Sequence, residues 1–134
     1  MKKLLMALML VVSLTSCALY GDYTSAGFDA NEYALINRIR TQSELAGNCS
    51  ESKQCYIAAI HEDYKLSVEF ENYAADIPHN KKVAVAASDF AALVKQSQDT
   101  LEVGKFSSTF AQLKFAQIEK SASDIQKAIG ELHR

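Results

Sequence analysis

Apolar residues recur at steps of three and four along most of the chain beyond residue 27, the spacing that places side chains on one face of a helix. Four such stretches are separated by breakers. In the first, Leu35, Ile36, Ile39 and Leu45 form the stripe, Arg38 and Arg40 fall on the polar side, and Gly47 offers a stop. Asp29 followed by Glu32 fits a capping box, and Phe28 and Tyr33 are spaced for a hydrophobic staple. The second begins near Ser50 or Ser52. Tyr56, Ile60, Asp63, Leu66, Phe70, Tyr73 and Ile77 follow in steps of four and three, with Asp63 the lone polar intruder and Ile57 and Tyr64 widening the stripe. Pro78 ends it, because the residue before a proline is pushed out of the helical region.

The third stretch runs from Asn80, read as an N-cap, to Val103, with Val83, Ala87, Phe90, Val94, Ser97 and Leu101 in line and Gly104 as the breaker. The fourth starts near Ser107 or Ser108. Ala111, Phe115, Ile118, Ala122, Ile125, Ile129 and Leu132 make a heptad seam, broadened at its start by Phe106, Phe110 and Leu113. Four amphipathic helices with short connections predict an all-α fold, an antiparallel bundle of about four helices over residues 28–134. The alternative is a three-helix core with the N-terminal helix docked loosely. No fixed-period repeat points to a solenoid.

The N-terminus obeys a different rule. Lys2 and Lys3 precede an apolar run from Leu4 to Val12, followed by Ser13, Leu14, Thr15, Ser16 and Cys17. The run is short of the roughly 20 residues that span a bilayer, and it has the layout of an export signal. Leu14-Thr15-Ser16-Cys17 resembles the lipobox of bacterial lipoproteins. That resemblance implies removal of residues 1–16 and acylation of Cys17 as the new first residue, with several acyl chains making a lasting membrane anchor. Ala18 follows the cysteine where an aspartate would favour inner-membrane retention, so the resemblance implies the outer membrane, periplasmic side. Residues 17–27 then form the lipidated N-terminus and a tether, marked by Gly21, Gly27 and polar neighbours.

Without residues 1–16, 118 of the 134 residues remain, a suitable length for one domain. Two lysines leave with the signal, so basic residues fall from 14 to 12 against 16 acids, a formal charge of −4. That balance argues against a nucleic-acid surface. If Cys17 carries lipid, Cys49 and Cys55 remain as an even pair, and in an oxidising compartment a disulfide is the default. Six residues apart in one helix, their Cα atoms would stand about 9 Å apart, beyond the roughly 7 Å a disulfide tolerates. Cys49 is therefore expected in a turn ahead of the helix that holds Cys55. The spacing is neither C-x-x-C nor part of a zinc pattern.

Candidate chemistry is sparse. His61-Glu62-Asp63 is the only tight polar triplet with a histidine, and on a helix its members point three ways, so no metal site is expected. No G-x-S-x-G, P-loop or dinucleotide fingerprint occurs, and the pairs Glu62/Asp63 and Glu69/Glu71 lie among residues typical of a solvated helix face. Neither enzyme activity nor a cofactor is expected. Aromatic residues crowd the N-terminal half (Tyr33, Tyr56, Tyr64, Phe70 and Tyr73 among them) and are expected along the bundle seam with hydroxyls at the rim. Tyr20 and Tyr23, in the tether, are the partner-binding candidates, at the bilayer interface or against another protein. The expectation is a lipid-anchored, non-enzymatic binding, inhibitory or accessory protein whose partners are the membrane and a periplasmic or envelope protein. One alternative is a bridging element laid out like the outer subunit of phage spanins. Another is a small-ligand carrier, which the many alanines disfavour because they let helices approach closely.

Overall fold

The computed structural model describes residues 27–132. Four helices follow one another: α1 (Ala30–Leu45), α2 (Lys53–Asp76), α3 (Lys81–Val103) and α4 (Ser108–Glu131), with a 3₁₀ turn, Ala46–Cys49, between the first two. No strand occurs among the described residues. Side-chain contacts across the helix pairs fix their directions. Asn31 of α1 meets Tyr73 of α2 and Ser43 meets Asp63, so sequence rises on one helix as it falls on the other. His61 of α2 meets Glu102 of α3, and Lys95 of α3 lies over the Tyr64 ring, the same antiparallel register. Gln126 of α4 donates to Asn37 of α1, and Gly130 faces the Tyr33 ring. Each helix packs on its sequence neighbours, and α4 closes the ring against α1. The fold is an antiparallel four-helix bundle. α1 is a full member of it, against the alternative of a three-helix core.

The core is the inward stripe of each helix. Ile36 and Ile39 of α1, Tyr56, Ile60 and Phe70 of α2, Val94 of α3, and Ile118 and Ile129 of α4 are all but sealed from solvent. Buried Ala74, Ala87, Ala111 and Ala122 let the helices approach closely. Tyr56 sits between Phe106 and Phe115, with ring centroids 5.8 Å from each, and its hydroxyl accepts a hydrogen bond from Gln112. The α4 seam is filled by this chain's own bundle, although its last position, Leu132, is exposed.

Local signals explain most helix ends. Asp29 caps α1 through Oδ1, which accepts from the backbone N–H groups of Asn31 and Glu32. Phe28 and Tyr33 meet with centroids 5.5 Å apart, as a hydrophobic staple requires. Ser52 caps α2 and Ser107 caps α4. Gly104 receives the end of α3.

Three sequence-based details need correction. Gly47 does not stop α1. The helix ends at Leu45 and tightens into the 3₁₀ turn that carries Gly47, ending at Cys49. Glu32 does not complete a capping box, because it turns inward and accepts from Asn80 at 2.6 Å. Asn80 stands at the N-cap position of α3 without capping it, because its side-chain amide donates to Glu32 and to the Ala74 carbonyl instead. His79, just before it, holds φ at +62°, the left-handed region that a non-glycine residue enters at a cost.

Candidate functional site

The cysteine pair forms as its spacing requires. Cys49 closes the 3₁₀ turn, Cys55 lies in the first turn of α2, and they are joined with Cα atoms 5.4 Å apart. The closed loop lies between α1 and α2, and Ser50 within it has φ at +52°. The chain thus turns sharply at this end of the bundle, and the bond fixes the turn. Cys17, the lipidation candidate, and Tyr20 and Tyr23, the partner-binding candidates, lie outside the described residues.

The described chain enters the bundle at the opposite end, where a polar cluster joins α1 to α2 and α3. The Tyr73 hydroxyl donates to Asp29 Oδ1 at 3.2 Å and accepts from the Asn31 side chain at 3.1 Å. Beside it, Asn80 bridges Glu32 and the Ala74 carbonyl. Glu32 is 1% exposed. Burial raises its pKa above the ordinary value, the Asn80 bond opposes that rise, and the Asp29 charge adds to it.

Midway along the bundle, Ser43 of α1 donates to Asp63 Oδ2 at 2.7 Å, and Asp63 Oδ1 has no partner. Asp63 is fully buried. Desolvation pushes its carboxyl up to about 7, against the Ser43 bond, which lowers it, and with the neighbouring Glu62 charge adding to the rise. Ser67 and Ser97, also buried, turn their hydroxyls onto the Tyr64 and Leu93 carbonyls of their own helices.

At the α2–α3 rim, His61 Nε2 lies 2.6 Å from Glu102 Oε1, and the Gln98 amide lies 3.2 Å from the other ring nitrogen. Half-exposed His61 thus joins two helices. Among the described residues no group of three or more His, Cys, Asp or Glu side chains converges as a metal site would require.

Shallow grooves open on the surface of the described residues. One, of about 370 Å³, lies between α1 and α2 against Asn37, Arg38, Thr41 and Glu62. Another, of about 340 Å³, runs along the loosest helix pair, α3 and α4, over Phe90, Leu93 and Ile125. Asp89 and Asp124 stand at its rims, and Lys120 pairs with Asp124.

Asp63 was legible as a polar break in an apolar stripe. Glu32 was read as a capping-box residue and Ser43 was not singled out, yet a signal for their inward placement exists. Positions 32, 36, 39 and 43 follow steps of four, three and four, which places both polar residues on the inward face of α1. Among the described residues, no helix is long and apolar enough to cross a membrane. The chain matches no protein-family model, no curated protein and no solved structure.

Proposed function

We propose that the chain is an exported lipoprotein, anchored by acylated Cys17 in the outer membrane, whose helical bundle binds a protein of the periplasm or envelope without catalysing a reaction. The observation that carries this reading is the order of residues at the N-terminus: Lys2-Lys3, the apolar run to Val12, then Leu14-Thr15-Ser16-Cys17. The Cys49–Cys55 disulfide supports it, since such bonds persist in oxidising compartments. Close-packed alanines at the helix contacts support a binding or structural body over a carrier with an internal cavity. Tyr20 and Tyr23 fall in sequence between Cys17 and the bundle, and tyrosine, with an apolar ring and a polar tip, suits a bilayer interface or a docked partner.

The test is metabolic labelling with a palmitate analogue and fractionation, in the wild-type chain and in Cys17→Ser. The reading expects label and membrane partitioning in the first and neither in the second. Equal labelling and partitioning of both would overturn it. A second reading, a bridging element that spans the periplasm with an inner-membrane partner, is favoured by the order of lipobox, tether and helical body. Crosslinking to an inner-membrane protein separates it from the first.

A further inference from the structure

Among the described residues, two carboxyls are buried in this bundle without a cation against them, and both belong to the contacts of α1. Asp63 of α2 receives one hydrogen bond, from Ser43 of α1, and its second oxygen is unpartnered. Glu32 of α1 is bonded to Asn80 at the α2–α3 turn. A buried ionised carboxylate is costly unless paired, so burial favours the protonated acid at Asp63, whose second oxygen is orphaned, and pushes Glu32 the same way against its Asn80 bond.

The surrounding charges do not offset this. On α2, Glu62 adds negative charge beside Asp63. On α1, Asp29 does the same for Glu32, and Arg40, one turn from Ser43, directs its guanidinium to Asn37 and Glu44. Tyr73 of α2 donates to Asp29. The buried positions of α3 and α4 hold no charged residue. His61 is held at the rim by Glu102.

α1 is also the helix with the thinnest apolar face. Its inward residues are Leu35, Ile36 and Ile39, with Glu32 and Ser43 completing the stripe. The other helices are longer, and each inserts at least one aromatic ring: Tyr56 and Phe70, Phe90, and Phe115. An element that buries few apolar side chains loses less on opening, although the seams of α1 with α2 and α4 are both closer than the α3–α4 seam. The two ends of α1 differ as well. Its C-terminal end runs into the 3₁₀ turn closed by the disulfide, whereas its N-terminal end is tied to α2 and the α2–α3 turn by the polar bonds of Asp29, Asn31 and Glu32.

We propose that α1 is a proton-operated latch, docked while Asp63 holds its proton and swinging out about the Cys49–Cys55 end when that carboxyl ionises, with buried Glu32 acting in the same direction. In that step one proton passes from the carboxyl O–H to water, and no other covalent bond changes. Undocking returns both carboxylates to solvent and uncovers the faces of α2 and α4 that α1 covers. The mechanism belongs to the bundle and does not depend on lipidation of Cys17.

The experiment is hydrogen exchange with mass-spectrometric readout on the full chain, at about pH 5 and about pH 8, expressed as protection factors so that the intrinsic pH dependence of exchange divides out. Protection across α1 should fall on the order of tenfold or more at the higher pH, while α3 and α4 change less. Asp63→Asn should remove most of that difference. If that variant does not fold, Ser43→Ala serves. By deleting the one donor to the ionised form, it should widen the difference. Equal changes in all four helices, or α1 protection independent of pH, would overturn the proposal.

Discussion

Ser43 and Asp63 meet across the α1–α2 interface through a 2.7 Å hydrogen bond, and among the described residues that bond is the only one the buried carboxyl receives. A carboxylate there would need two or three donors, or a cation, to offset its lost hydration. With a single hydroxyl donor and an orphaned second oxygen, the site favours the neutral acid. Tolerance of an aspartate in an apolar stripe therefore depends on its proton, and the stability of the bundle depends on pH in a direction opposite to that usual for surface carboxylates.

The sign follows from the raised value. Asp63 titrates at about 7 in the folded chain against an ordinary 3.8. Between those values the folded state holds a proton that the unfolded state has released. Its contribution is full below about pH 4, falls by about 1.4 kcal/mol per pH unit across the window, and levels off above about pH 7. Glu32 is raised from 4.5 and acts with the same sign. Urea unfolding of the wild type should show stability falling from about pH 4 to about pH 7. In Asp63→Asn the slope should shrink, with the variant more stable than wild type near pH 8. A wild type that gains stability across that window would contradict the assignment.

Asn80 should matter more than a helix cap would. Asn80→Ala leaves the Glu32 carboxyl without its side-chain donor and frees the Ala74 carbonyl as well. The expected loss is about 1–3 kcal/mol, the cost of unsatisfied buried polar groups. Glu32→Gln should be milder, because an amide can still accept from Asn80 and carries no charge. Thermal or urea unfolding of both variants checks the order.

His79 makes a prediction of the opposite sign. It sits at φ +62° directly before α3. Glycine enters that region without the clash of a Cβ, so His79→Gly should stabilise the bundle by up to about 1 kcal/mol, net of the entropy glycine gains in the unfolded chain. A loss of stability would mean that the imidazole makes a contribution larger than the backbone strain.

The disulfide closes a loop of short span, Cys49 to Cys55. In the chain-entropy view such a loop contributes about 2 kcal/mol. Cys49→Ala should lower the thermal midpoint accordingly, and reduction of the wild type should lower it by a similar amount. Two free thiols titrated in protein taken directly from the periplasm would contradict the bond in its natural setting.

Much of this fold was legible because helix periodicity and breakers agree. Pro78 and Gly104 mark real ends, Ser52 and Ser107 are real caps, and the spacing of Cys49 and Cys55 required the turn that Cys49 occupies. Asn80 and Glu32 were misread for one physical reason. Each has the right chemistry for a local cap, but each is used across the bundle, where a buried partner outweighs a solvent-exposed backbone N–H. Local sequence carries no sign of that competition. The direction of Asp63 was visible as a break in the stripe, whereas its partner could be found only once the antiparallel register set Ser43 opposite it.

Lipidation at Cys17 is read from the intact mass of the chain purified from bacterial membranes. The expected species is a polypeptide beginning at Cys17, heavier than its 118 residues by the mass of attached acyl groups and lighter by the two hydrogens lost in forming the Cys49–Cys55 bond. A chain that still begins at Met1 and carries no lipid would contradict it.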